Sequence, residues 1–250
     1  MKTTLRPLIL ALSLAATSAS VLAGVYDDLI AAVYRDDTAA VLDLVNRGMD
    51  VNSVDPAGNT LLHVASRNGN DALIAALLKQ KGNPNARNRL GETPLVLAAY
   101  SGKMAAAEAL LAGGAQLNTD GWSALQYAVF AEQAEMVKYL LGKGAKVDAR
   151  APNQQTALML AAKNGNAAIA QLLLKANADP ELKDQNGDTA LVLARNSGNT
   201  EVARLLEQAP PVAKPQSESQ PAPLETAAAP AQPQENQRSE SVPPQPAAEK

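Results

Sequence analysis

Apolar residues in this chain come in short runs that recur in phase. The segment Gly91–Gly102 shows the pattern: a glycine turn, Thr93-Pro94, an apolar and alanine-rich run, then a second glycine. Thr60-Leu61-Leu62-His63-Val64-Ala65 lies 33 residues upstream, and Ser123-Ala124-Leu125-Gln126-Tyr127-Ala128 lies 30 downstream. The runs that begin at Thr156 and Thr189 follow at further intervals of 33. A period near 33 predicts a stack of repeated supersecondary units. In each unit a hydroxyl residue (Thr60, Thr93, Ser123, Thr156, Thr189) can cap a first helix through its side-chain oxygen. That helix runs to Gly69, Gly102, Glu132, Gly165 or Gly198; glycine is the residue most at ease in the left-handed turn that ends a helix. A second helix carries a Leu-Leu pair, at Leu77-Leu78, Leu110-Leu111, Leu140-Leu141, Leu172-Leu173 and Leu205-Leu206, and stops at Gly82, Gly114, Gly144 or Asn177.

Residues 24–55 form an atypical first unit. Leu29, Ile30, Ala32 and Val33 fit one helix face, and Val41, Leu42, Leu44 and Val45 fit a second, but Asp27 stands where the threonine would be. A divergent terminal unit suits a stack that must present one face to water. Five further units are expected at about 56–88, 89–118, 119–151, 152–184 and 185–208.

These residues carry a resemblance to ankyrin repeats. Thr60-Leu61-Leu62-His63-Val64-Ala65, Thr93-Pro94-Leu95 and Gly144-Ala145-Lys146-Val147-Asp148 match parts of the family pattern, and five units match in register. The resemblance covers Val25 to about Gln208. It implies an all-α solenoid of about six units: antiparallel helix pairs stacked side by side, with finger loops projecting at one edge. Histidine and proline each match the motif once only, and the unit near Thr119 lacks three residues of its finger.

The two ends differ from the repeats. Residues 1–23 read as a secretory leader: Lys2 and Arg6, the apolar run Leu8–Ala16, then Val21-Leu22-Ala23 with small residues at the positions a leader peptidase reads. The apolar run is short for a membrane span, so stable membrane insertion is not expected. With no cysteine and no Asn-x-Ser/Thr acceptor, export to a bacterial periplasm is the expected address, with secretion as the alternative. Residues 209–250 hold ten of the chain's sixteen prolines and no aromatic residue. Such a composition cannot bury enough apolar surface to fold, and a disordered tail is expected there.

Composition narrows the chemistry. The net charge of −3 argues against a general electrostatic grip on nucleic acid. One histidine and no cysteine cannot assemble the usual zinc cage. No calcium loop and no phosphate-cradling glycine motif occurs, and Ser66, Ser101 and Ser197 have no histidine near them in the motif. His63 occupies a motif position whose imidazole, by the resemblance, hydrogen-bonds to neighbouring turns. No catalytic residue, metal site or cofactor is therefore expected.

Binding is better supported. By the resemblance, the concave groove is faced by the finger residue before the capping threonine and by the seventh and eighth residues after it. Asn59, Glu92, Trp122, Gln155 and Asp188 occupy the first kind of position. Of the seven aromatics after the leader, Tyr34, Tyr100, Trp122 and Phe130 fall on this face, whereas Tyr127 and Tyr139 are expected in the core. With Arg67 and Lys163 these four are the candidate partner-binding residues. The shortened finger beside Trp122 should open a notch over Trp122 and Phe130, and Glu132 in place of glycine suggests a local distortion. The expected function is a non-enzymatic, monomeric module that binds a protein partner. The alternative is an envelope spacer acting through its proline-rich tail.

Overall fold

The computed structural model describes residues 28–209. The expected leader, Asp27 and the proline-rich tail from residue 210 lie outside the described residues. Among the described residues there are twelve helices and no strand. Helix α1 is described over residues 28–34 and pairs with α2 (Thr38–Asn46). Five more pairs follow: α3 (Leu61–Asn68) with α4 (Asp71–Lys79), α5 (Pro94–Tyr100) with α6 (Met104–Ala112), and α7 (Ala124–Phe130) with α8 (Ala134–Gly142). The series ends with α9 (Ala157–Asn164) and α10 (Ala167–Lys175), then α11 (Ala190–Asn196) and α12 (Thr200–Glu207). The fold is the all-α stack of helix pairs that the periodicity predicts.

The first helices stack closely because each carries a fully buried alanine at the same phase: Ala65, Ala98, Ala128, Ala161 and Ala194. Small residues there let adjacent helices approach, so α3, α5, α7, α9 and α11 form one continuous inner row. The second helices contribute leucine. Leu77, Leu110, Leu140, Leu173 and Leu206 are buried, each worth roughly 1.5–3 kcal/mol in transfer from water. Leu173, not Leu172, holds the buried place, so the phase-equivalent pair is Leu173-Leu174, and Leu206 is followed by Glu207.

The hydroxyl caps form largely as the motif requires. Thr93, Ser123, Thr156 and Thr189 accept the backbone N–H of the residue three places on. Thr60 differs, its hydroxyl lying 2.8 Å from His63 Nδ1. Glu132 adopts φ +58°, the same left-handed turn that glycine makes in the other units, without disturbing the packing of α7 on α8. The expected distortion is therefore confined to one backbone dihedral. At the end of α4 the left-handed residue is Lys81, not Gly82; Gly82 is required because a Cβ there would sit 2.9 Å from the Leu77 carbonyl oxygen.

Finger bases are tied unit to unit by one repeated bond. Asn52, Asn85 and Asn118 each accept, through Oδ1, a backbone N–H of the next unit, from Asn83, Gln116 and Lys146 at 2.7–2.8 Å. Asp148 accepts from Asp179 N–H at 3.1 Å in the same way. The connection from α6 to α7 spans residues 113–123, three fewer than 80–93, 143–156 or 176–189. Because the missing residues fall after Asn118, the base tie survives and the fingertip is lost. Among the outer helices, α2, α4 and α6 pack in sequence, as do α8, α10 and α12, whereas contact between α6 and α8 is sparser.

Among the described residues one buried side-chain polar atom lacks a partner: Ser66 Oγ, in α3, is fully buried without a hydrogen bond. Leaving a buried hydroxyl unsatisfied costs about 1–3 kcal/mol. Ser66→Ala should therefore raise the urea midpoint without changing the slope of the transition. A lowered midpoint would show that the hydroxyl fills space the methyl cannot.

Candidate binding surface

A chain of buried polar side chains runs beneath the fingers of the first four units. Tyr34 Oη donates to Asp55 Oδ2 at 2.7 Å, and the same oxygen accepts from Asn59 Nδ2 at 2.9 Å. Asn59 Oδ1 accepts from Asn88 Nδ2 at 2.9 Å, and Asn88 Nδ2 also donates to Glu92 Oε2 at 2.7 Å. Glu92 Oε1 accepts from Tyr127 Oη at 2.9 Å. Asp55, Asn59, Asn88, Glu92 and Tyr127 are each 9% exposed or less. Both carboxylates are thus held by neutral donors, a tyrosine hydroxyl closing each end. Burial alone would raise the Asp55 carboxyl, but hydrogen bonds from Asn59, Tyr34 and two backbone amides outweigh it and hold the group below its usual range. Burial, with the Glu92 charge beside it, pushes the Tyr127 phenol well above its ordinary value, so it stays a donor.

The Tyr127 ring is also the hub of an aromatic cluster. Tyr100 meets it edge-on at 6.2 Å between centroids, and Trp122 meets it edge-on at 6.4 Å. Tyr100 stacks on Phe130 at 6.4 Å. Tyr127 is buried, while Tyr100, Trp122 and Phe130 are half-exposed at the inner row. The rings therefore present a continuous apolar surface on a fixed base. Such pairs contribute about 0.5–1.5 kcal/mol each beyond the area they bury.

The six residues singled out by sequence separate into three groups. Tyr100, Trp122 and Phe130 come together through Tyr127. Tyr34 and Arg67 form a second site, the guanidinium lying 5.7 Å from the ring centroid. Lys163 stands exposed at the end of α9, where neighbouring Asn164 reaches the Phe130 carbonyl at 3.3 Å. Asn59 and Glu92, placed on the partner-facing edge by sequence position, are buried in the polar chain instead, because each completes the shell of a side chain from the neighbouring unit. Leu90 was not singled out, yet it is 51% exposed and lines a cavity of about 240 Å³ with Arg67 and Arg89. An apolar side chain at a fingertip between charged neighbours was the signal available.

Between α6 and α8 there is a cavity of about 660 Å³ lined by Leu111, Leu117, Tyr139 and Lys143, and a second of about 450 Å³ that shares Tyr139 and Lys143 and extends to Met104. Tyr139 is accordingly half-exposed rather than core, with Lys143 Nζ 5.3 Å from its ring centroid. The phase-equivalent Ala76, Ala109, Leu172 and Leu205 are partly exposed as well.

His63 is fully buried. Its Nδ1 accepts from Thr60 N–H at 3.0 Å, which leaves Nε2 to donate to the Glu92 carbonyl at 3.0 Å. Burial lowers its pKa, against the opposing pull of that carbonyl and of the Asp55 charge. Gln126 fills the same place one unit beyond Thr93, accepting from Ser123 N–H at 2.9 Å and donating to the Gln155 carbonyl at 2.9 Å. No group of three or more acidic, histidine or cysteine side chains suited to a metal ion occurs among the described residues.

A stack of helix pairs with tied fingers defines a helical repeat protein. The chain belongs to the ankyrin-repeat family: the model "Ankyrin repeats (3 copies)" matches residues 29–118, 68–151 and 147–219. Ankyrin repeats generally mediate protein–protein interaction. The chain is similar to a transient receptor potential cation channel subfamily A member 1 homolog of Caenorhabditis elegans, 34% identical over 118 residues, which is 46% of this chain and 10% of that protein. A putative ankyrin repeat protein of Rickettsia bellii is 34% identical over 119 residues, 44% of this chain and 34% of that one. The matched part is thus a minor share of these relatives' length. Among solved structures, a chain from the complex of the Bd0816 predatory endopeptidase of Bdellovibrio bacteriovorus with immunity protein Bd3460 superposes with a TM-score of 0.65. It is 29% identical, over 72% of this chain and 97% of that one.

Two outcomes follow from the polar chain. Tyr127→Phe keeps the ring cluster but strips Glu92 of a donor; loss of a bond to a buried charged group should cost about 1.5–3 kcal/mol in chemical denaturation. The companion Glu92→Gln should reduce that cost in a double-mutant cycle. The unfolded state binds a proton at His63 near pH 6.5 while the folded state resists it. This contribution to stability is complete above about pH 6.5 and is lost as pH falls toward the depressed folded value. His63→Gln, which can reproduce the bonding of Gln126, should flatten the decline in melting temperature between about pH 7 and pH 5.

Proposed function

We propose that this protein is an exported, non-enzymatic module that captures a protein partner on its inner face, through Tyr100, Trp122 and Phe130, with Arg67 and Leu90 at one flank and Lys163 at the other. The observation that carries the reading is the half-exposed ring cluster anchored on buried Tyr127. Aromatic and arginine side chains seated on a rigid base supply most of the energy at protein interfaces, and here the base is fixed by the Glu92 hydrogen bond. Export is supported by the leader pattern of residues 1–23, and the periplasm is the compartment we assign to it. The similarity to a chain from an endopeptidase–immunity complex favours a partner of the peptidase class, with neutralisation as the form the binding takes.

The test is titration of the full chain against peptidases exported by the same cell, reading both binding and inhibition. Trp122 touches the cluster only through Tyr127 and is the cleaner probe. Trp122→Ala should weaken partner binding by about 2 kcal/mol or more, as at a true hot spot, while the helical signal and melting temperature change little. Parallel loss of fold and binding would reassign the rings to internal packing. Capture of an envelope protein without inhibition would retain the binding face and reject neutralisation.

A further inference from the structure

Charge on the stack is sorted by face, although the chain as a whole is acidic, with a net charge of −3. The inner-row helices α3, α5, α7, α9 and α11 carry Arg67, Lys163 and Arg195 and no carboxylate. The outer helices mix both signs. The fingers repeat the bias. Beyond the base ties, residues 86–92, 119–122 and 149–155 hold Arg87, Arg89 and Arg150, all exposed. Their carboxylates are exposed Asp120 and buried Glu92, whose oxygens are taken by Asn88 and Tyr127. The end fingers differ. Residues 53–59 have no cation, and in residues 182–188 Lys183 is outnumbered by Asp184 and Asp188. Exposed Asp36 and Glu132 stand in the turns at the opposite end of the inner row. Positive charge is therefore concentrated at the finger edge of the third to fifth units, on either side of Trp122.

These cations are held in place. Arg87 donates to the Gly91 carbonyl at 2.9 Å and to the Asp120 carbonyl, two residues before Trp122, at 3.2 Å. Arg150 donates to Gln154 Oε1 at 3.2 Å and to the Lys183 carbonyl at 2.9 Å. Neutral acceptors orient a guanidinium without cancelling its charge. The Arg89 backbone N–H is fixed on the Ala57 carbonyl at 3.1 Å, and its side chain is exposed. A partner arriving here meets apolar rings with a cation one unit to each side. Arg89 and Arg150 stand two units apart, roughly 16–20 Å at about 8–10 Å per helix, which an extended strand crosses in about five or six residues. A polyanion such as nucleic acid would follow the groove on to the end fingers, where the positive bias is lost. A short acidic segment needs only the middle three.

Resting on the ring cluster as the capture surface, we propose that the protein partner presents an extended acidic segment. An apolar side chain lies on Tyr100, Trp122 and Phe130, one carboxylate points toward Arg89, and a second, about five or six residues along, points toward Arg150. Opposite charges of this kind steer the encounter and fix the register. Trp122 is the only tryptophan, so its emission reports occupancy of the face. Random peptides lacking tryptophan would be selected on the full chain, and the recovered sequences titrated in solution. The proposal expects Asp or Glu at that spacing around Leu, Ile or Phe, a shift in Trp122 emission, and binding at least about tenfold weaker in about 0.5 M salt than in dilute buffer. Arg89→Glu, with its melt recorded, should weaken binding about tenfold or more, whereas the same charge change on outer helix α4, Lys79→Glu, should alter it less than about twofold. Neutral or basic selected sequences, or acidic ones indifferent to Arg89→Glu, overturn the proposal; if they still lose binding in Trp122→Ala, the ring face stands as the capture surface. Sequences indifferent to Trp122→Ala, or none recovered, overturn both. A single-stranded oligonucleotide that outcompetes the peptides at Trp122 assigns the charge to nucleic acid and overturns the proposal.

Discussion

A single helix pair of this length cannot bury its own apolar side, and every unit here is stable only against its neighbours. That dependence makes register between units the controlling constraint. Alanine and leucine supply the attraction but tolerate sliding, since a row of small and branched side chains fits at more than one offset. The directional bonds remove that freedom. Each asparagine at a finger base meets one backbone N–H of the next unit, and the run from Tyr34 to Tyr127 links four units through side-chain hydrogen bonds. Buried polar groups are costly when left unsatisfied, so a shifted register would lose the whole set together.

The three-residue deletion after Asn118 falls in the unit that carries the aromatic face. On the inner side the residue before the capping position is Trp122, where the preceding unit has Glu92. Tyr127 then projects back to complete the Glu92 shell, and its ring becomes the floor for Tyr100, Trp122 and Phe130. On the outer side, contact between α6 and α8 is sparser than between the other successive outer helices.

Much of the architecture was legible in the sequence because it is periodic. The 33-residue phase, the hydroxyl caps and the left-handed turns each appear several times, so one irregular copy does not hide them. Glu132 illustrates this: position alone predicted a helix-ending turn there, and the turn forms despite the wrong residue type. The departures are at sites where one side chain meets one partner about 30 residues away. Asn59 and Glu92 have the polarity and position of surface residues, and only the neighbouring unit makes them buried. Tyr139 follows the apolar pattern of its helix, but the position is partly exposed in the other units too, at Ala76, Ala109, Leu172 and Leu205. The phase of Leu172-Leu173 misled by one residue because Leu172, Leu173 and Leu174 are identical in type and only packing selects between them.

The sparse contact between α6 and α8 also bears on the mechanics of the molecule. Elsewhere both rows of helices resist bending, as the two flanges of a beam do. Where the third unit meets the fourth the outer flange is thinnest, so resistance to bending there falls mainly to the inner row and to the Asn118 ties at the finger base.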